Sequence, residues 1–254
     1  MRIEDKTVVV TGAASGIGAA LARRFAAEGA RLVVCSDING DGARVTAEAV
    51  GGVAFTTDVS READIQRLIE RTEEGHGPID LFCSNAGIAV GGGAEGPDEG
   101  WARSWNVNVM AHVWAARHVV PLMIERGGGY LLNTASAAGL LSQIGSAPYA
   151  VTKHAAVGLA EWLAITHGDK GIKVSVLCPQ AVRTAMTAGN PDGVASVDGM
   201  MEPEKLTESV IRGLEAEDFL ILPHPQVLDY MRRKTSDYNR WIGGMKKLQR
   251  RSRG

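Results

Sequence analysis

Tyr149 and Lys153 stand four residues apart in SAPYAVTKHAAVGLAEWLAI, a stretch that reads as a helix. Residues at that spacing share a helix face, so the phenol and the ammonium lie side by side. A free tyrosine titrates at about 10 and is a poor base at neutral pH, but a neighbouring cation favours the phenolate. The pair therefore suits proton transfer, although the same spacing also arises on surface helices by chance. Ser136 follows the strand-like run Tyr130 to Thr134, at the edge where open α/β sheets place their ligands. Asn108 interrupts a packed apolar stretch and reads as either a satisfied core amide or a functional group.

A second group of residues is suited to binding. Gly12, Gly16 and Gly18 lie in TVVVTGAASGIGAA, where an apolar β-branched run passes into glycines and then into Ile17, Leu21 and Phe25 at helical spacing. The glycines permit a tight turn and close backbone approach. The free N–H groups and positive dipole end of a helix starting there suit a pyrophosphate. Asp37 ends the next apolar run, RLVVCS, about 20 residues past the glycines, where a carboxylate bonds ribose hydroxyls and repels a 2′-phosphate. Neither Ser15 nor Ile38 supplies a cation for such a phosphate, which favours NAD over NADP. An aspartate there also suits a helix cap or turn.

The elements that must carry these groups alternate strand and helix. Val53 to Thr57 is a strand closed by Asp58 and Val59; Asp58 suits the adenine edge or a cap of the following helix, whose face is Ile65, Leu68 and Ile69. Ile79 to Ser84 is a strand that runs into Asn85-Ala86-Gly87, small residues beside which a cofactor fits. One long helix is expected from Trp101 to Met123, with Trp101, Trp105, Val109, Val113 and Ala116 on one stripe. Lys173 to Cys178 is a strand ending at Pro179, and Gln180 to Thr184 continue over the cofactor. Residues 185 to 202 read as a mobile lid, Phe219 to Leu222 as a last strand, and 225 to 254 as an extension of one or two helices.

With 254 residues and 45% hydrophobic content, the chain is expected to form one domain. A net charge of −2 gives no electrostatic case for nucleic acid or an acidic membrane. Neither a signal peptide nor a run of about 18 apolar residues is evident. Cys35, Cys83 and Cys178 sit in or beside apolar strands and read as buried reduced thiols, consistent with the cytoplasm. The six histidines show no ligand spacing, and no metal is required.

Taken together, Thr11-Gly12-x-x-x-Gly16-x-Gly18, Asn85-Ala86-Gly87, Asn108, Ser136 and Tyr149-x-x-x-Lys153 resemble the short-chain dehydrogenase/reductase family over residues 5 to 225. The resemblance implies a Rossmann-type three-layer αβα sandwich with a parallel sheet of about seven strands, one nicotinamide cofactor, and usually a tetramer. It implies that Tyr149 is the general acid/base and that Lys153 lowers its pKa and bonds the nicotinamide ribose. Ser136 would bond the substrate oxygen and Asn108 would hold a water in a proton relay. Asn85 and Gly87 would line the adenosine side, and Val182 and Thr184 would contact the carboxamide. The family usually has Pro-Gly where this chain has Pro179-Gln180, which leaves cofactor contacts in that turn open.

The expected activity is NAD-dependent interconversion of a secondary alcohol and a ketone. A silent NAD-binding protein, and an epimerase or dehydratase on the same fold, are the alternatives. Apolar or small residues on more than one face of two helices, including Ala111, Trp114, Ala115, Ala156 and Leu159, suggest a homotetramer or homodimer. Met186, Val194, Val197, Met200, Met201, Trp241 and Met245 either line an adaptable apolar pocket or pack lid and tail onto the core. Because only Arg183 is foreseen as a nearby anion anchor, an uncharged, mostly apolar substrate is expected.

Overall fold

The computed structural model describes residues 1–189 and 193–251. Strand β1 (Thr7–Thr11) is wholly buried, as its TVVVT sequence requires of a strand covered on both faces. It is followed by α1 (Gly16–Ala27), β2 (Leu32–Asp37), α2 (Gly40–Val50), β3 (Val53–Thr56), α3 (Glu62–His76) and β4 (Leu81–Ser84). Then come α4 (Asp98–Trp105), a π-helical turn (Asn106–Met110), α5 (Ala111–Glu125), β5 (Gly129–Thr134), α6 (Ala147–His167), β6 (Ile172–Leu177), α7 (Pro203–Ala216), β7 (Leu220–Ile221), α8 (Gln226–Ser236) and α9 (Tyr238–Arg251). All seven strands are parallel, in the order β3-β2-β1-β4-β5-β6-β7.

Alternation along each strand divides the core into two layers. Val9, Phe82, Leu131 and Val176 face Ile65 and Ile69 of α3, Val119 and Met123 of α5, and Ala160 and Leu163 of α6. Their neighbours Val8, Val10, Leu81, Leu132 and Leu177 face Leu21 and Phe25 of α1 and Leu206, Val210 and Leu214 of α7. The result is the expected three-layer αβα sandwich. Between β1 and β4 the order of strands reverses direction, which opens a crevice at the strands' C-terminal ends.

Several expectations need correction. The helix expected as one piece from Trp101 is interrupted by the π turn, which carries Asn108. The extra residue in that turn rotates what precedes it, so Trp105 is exposed and does not continue the buried stripe of Val109 and Ala116. The helical run Asp98–Glu125 is long and apolar enough to cross a membrane by length and composition alone, where the sequence reading saw no such run. Half of its most apolar window is buried, and α5 packs on the sheet, so a core helix accounts for that composition. The lid region partly falls outside the described residues, at 190–192. Its described parts are tied down: Arg183 N–H donates to Met201 O (2.9 Å) and Met201 N–H to Ala181 O (3.0 Å).

Candidate active site

The crevice holds a cleft of about 1720 Å³, larger than the roughly 300–1,000 Å³ of a pocket for one small ligand, so a dinucleotide and a substrate fit together. Every catalytic and cofactor-binding residue named from the sequence lines it except Asn108. At one end is the glycine turn. Gly12 and Gly16 have φ of +70° and +54°, and a Cβ on Gly18 would lie 2.0 Å from Gly12 O. Only glycine permits this turn to fold so tightly on itself. Ser15 is the N-cap of α1 without a side-chain bond, and no acidic residue sits in the first turn. The positive end of α1, with Gly16, Ile17 and Gly18, is thereby left to an anion, which fits a dinucleotide pyrophosphate.

Beside it, Asp37 accepts from Ala14 N–H (3.0 Å) and Asn39 N–H (2.9 Å), which fixes the carboxylate at the cleft edge. It does not cap α2; Asn39 does, accepting from Gly42 N–H. Asp58 does not cap α3 either. Its Oδ1 accepts from the N–H and hydroxyl of Ser60, and Arg61 is the N-cap. Both aspartates line the cleft, together with Val59.

Next to the glycine turn, Thr11 Oγ1 accepts from the backbone N–H groups of Asn85 (2.9 Å) and Ala86 (3.1 Å). Asn85 Nδ2 donates to Thr11 O, and its Oδ1 accepts from Thr134 Oγ1 (3.2 Å). Asn85-Ala86-Gly87 is thus stitched to β1 and β5. The role of Thr134, as a bridge to Asn85, is not visible in the sequence spacing.

The reactive groups meet at the end of β5. Ser146 is the N-cap of α6 and accepts from Tyr149 N–H (3.2 Å), with Pro148 in the first turn, so the helix begins just ahead of the phenol. Lys153 is 3% exposed. Its Nζ donates to Thr134 O (3.1 Å) and stands 5.6 Å from the Tyr149 ring centroid. Burial lowers its pKa to about 8, so it remains mostly an ammonium at neutral pH. Burial pushes the Tyr149 phenol above its ordinary value, and the Ser136 hydroxyl pulls it back down. Desolvation thus outweighs the Ser136 hydrogen bond at the phenol oxygen.

Asn108 lies behind this cluster, fully buried. Its Oδ1 accepts from Ile88 N–H (2.9 Å), and its Nδ2 donates to Ile88 O (2.9 Å) and Thr152 Oγ1 (3.1 Å). Both amide hydrogens are spent, so the side chain joins the Gly87-Ile88 segment to α6 and has no hydrogen left for a water. Pro179, Val182 and Thr184 line the cleft as expected. Gln180 does too, and its N–H donates to His224 Nδ1 (3.2 Å), a buried partner the sequence did not indicate.

Beyond Ser136 the wall is mostly apolar, with Val90, Leu141, Ile144, Met186, Val194, Val197, Trp241, Met245 and Leu248 interrupted by Ser142, Gln143, Thr187, Tyr230 and Ser236. Met200 and Met201 are not in it, and Met201 packs on the core below the sheet. Arg183, the only cation foreseen nearby, is paired with Glu202 (2.6 Å) outside the cleft. Arg103, Arg233 and Arg240 line the cleft in its place.

Comparison with known proteins agrees with this geometry. Residues 6–194 match the family model described as short chain dehydrogenase. The chain is similar to 1-deoxy-11-beta-hydroxypentalenate dehydrogenase of Streptomyces exfoliatus, at 36% identity over 95% of this chain and 91% of the relative. It is also similar to meso-2,3-butanediol dehydrogenase of Serratia marcescens, at 33% identity over 85% and 84%. Among solved structures, a short chain dehydrogenase/reductase from Burkholderia phymatum in complex with NAD superposes with a TM-score of 0.86, at 27% identity, over 94% of this chain and 96% of the other. The fold, the cleft and these likenesses converge: the chain belongs to the short-chain dehydrogenase/reductase family.

Proposed function

We propose that this protein uses NAD, in preference to NADP, to interconvert a secondary alcohol and a ketone on a mostly apolar substrate, as a single-domain cytoplasmic enzyme. The observation that carries the reading is the meeting of Ser136, Tyr149 and Lys153 at the sheet's C-terminal edge, between a dinucleotide cradle and an apolar wall. Its relatives are dehydrogenases of alcohols as different as butanediol and retinol.

When bound, the nicotinamide supplies the hydride acceptor or donor. Tyr149 exchanges a proton between its phenol oxygen and the carbinol oxygen of the substrate. Ser136 donates a hydrogen bond to that same oxygen, stabilising the charge that develops there. Lys153, held by Thr134 O, keeps a positive charge beside the phenol and offers its remaining hydrogens to the cofactor ribose. Asn108 acts as a positioning residue, holding Ile88 against α6. The apolar wall excludes water from the reacting carbon. Preference for NAD rests on the Asp37 carboxylate at the cleft edge, and no cation of the cleft comes from the ends of β2 or β3. The cytoplasmic assignment rests on three free, buried cysteines.

The test is turnover of a panel of secondary alcohols with NAD and with NADP, in the wild type and in Tyr149→Phe. Catalytic efficiency with NAD should exceed that with NADP by at least tenfold. The phenylalanine variant should lose roughly 10²–10⁴ in rate while still binding NAD. Wild-type rates in that variant would end the assignment of Tyr149.

A further inference from the structure

The cleft is electrically lopsided. Its two carboxylates, Asp37 and Asp58, lie at the ends of β2 and β3, where the adenosine half belongs. At the opposite end the lining contains, among the described residues, three arginines and no carboxylate. Arg240 begins the inward face of α9: with Trp241, Gly244, Met245 and Leu248 it follows the i, i+1, i+4, i+5, i+8 spacing of a single helix side. Arg233 projects from α8 onto the same space.

These helices are anchored to the substrate side of the site. Lys234 Nζ donates to Leu140 O (2.6 Å), Tyr230 OH donates to Asp198 (2.9 Å), and Trp241 packs beside Ala137 and Leu141, immediately after Ser136. The acidic residues nearest in sequence are already engaged. Asp229 pairs with Arg232, and Asp237 Oδ1 accepts from Arg240 N–H. The guanidinium of Arg240 has no ion pair or hydrogen bond among the described residues, and that of Arg233 has only the Tyr230 ring, 5.8 Å away. Both arginines are exposed, so they stand at the mouth of the cleft, at the solvent end of its apolar wall.

Building on the dehydrogenase reading above, we infer that Arg233 and Arg240 receive the carboxylate of an apolar hydroxy- or keto-acid whose reacting carbon lies at Ser136 and Tyr149. The apolar wall between the two ends takes the hydrocarbon body. A guanidinium matches a carboxylate bidentately, and two of them at the cleft mouth offset the screening that their exposure to water allows. Arg103 lines the same end from α4, whereas the other two stand on the adjoining helices α8 and α9, so the assignment rests on those two.

The probes are decanoate, decanol and decyl phosphate, used as ligands in the presence of saturating NAD and measured by calorimetry. Decanoate should bind roughly tenfold more tightly than decanol. In the doubly substituted Arg233→Gln/Arg240→Gln protein that advantage should vanish while decanol binding is unchanged. Equal binding of decanoate and decanol in the wild type, or an advantage that survives in the double variant, would overturn the inference. So would tighter binding of decyl phosphate, which would move the ligand class to phosphate esters. Turnover of neutral secondary alcohols by the wild type separates the two readings: if it occurs while decanoate has no advantage over decanol, only the anion site fails.

Discussion

His112 stands one helical turn after Asn108 and is 2% exposed, with neither ring nitrogen bonded within hydrogen-bond geometry. Burial first, and then the Lys153 charge, lower its pKa from 6.5 to about 3, against the opposing amide of Asn133. In the unfolded chain the same imidazole takes up a proton near its ordinary value. The folded protein therefore binds fewer protons between those limits, and stability is lost as pH falls from about 6.5 toward 3. By pH 5 the loss from this residue is about 2 kcal/mol. His224, lowered mainly by burial, acts in the same direction. Urea unfolding of the wild type should show that decline between pH 7 and pH 5, and His112→Leu should remove about 2 kcal/mol of it; an unchanged slope would show that His112 titrates normally. The residues that bind or react were legible in the sequence because glycine, tyrosine and lysine at fixed spacings carry chemistry in their identity. Supporting residues such as His112, Thr134 and His224 were not, because burial and contact across the sheet make them what they are.

At the scale of elements, the glycine turn at the head of α1 depends on missing side-chain atoms. A Cβ on Gly18 would lie 2.0 Å from Gly12 O and 2.6 Å from Gly12 C, and neither backbone atom has room to yield. Gly18→Ala should lower stability by about 1–3 kcal/mol and weaken NAD binding at least tenfold, read by thermal unfolding and by calorimetry. Gly75→Ala is the contrasting case. It sits in α3 with nothing within 4 Å of its Cβ, and should raise stability by roughly 0.5–1 kcal/mol through helix propensity. The strands and most helices were legible for the same reason the turn was: β-branched runs bounded by glycine leave few other structures open. The π turn at 106–110 was not, because one added residue leaves the apolar spacing on either side intact while rotating Trp105 into solvent.

For the whole molecule, the apolar residues foreseen as surplus are consumed within the chain itself. Ala111, Ala115 and Ala156 are buried, and Trp114 and Leu159 pack against the core. A different set remains uncovered. Val151, Trp162 and Ile165 are 47%, 56% and 83% exposed, and with Ala155 and Gly158 they form one stripe of α6, beside Trp105 of the neighbouring α4. A contiguous face of this kind fits a two-fold contact between copies, so a homodimer or homotetramer remains the proposal on these new grounds. Trp162→Glu with Ile165→Glu should yield a monomer in light scattering at micromolar concentration, with the fold retained by circular dichroism. A wild-type protein that is already monomeric would refute it.

The strand order has a consequence in time. Thr11 and Asn85 meet across 74 positions of chain, and β1 is flanked by β2 on one side and by β4 on the other. During synthesis β2 follows β1 closely, but β4 and the bonds that complete the turn arrive only after those 74 positions have been made, about 4–15 s later at the usual pace of a ribosome. For that interval a run of three valines presents an unpaired edge. The crevice that makes the site is thus also the last seam of the nascent sheet to close on β1, and the segment most in need of protection while the chain is being born.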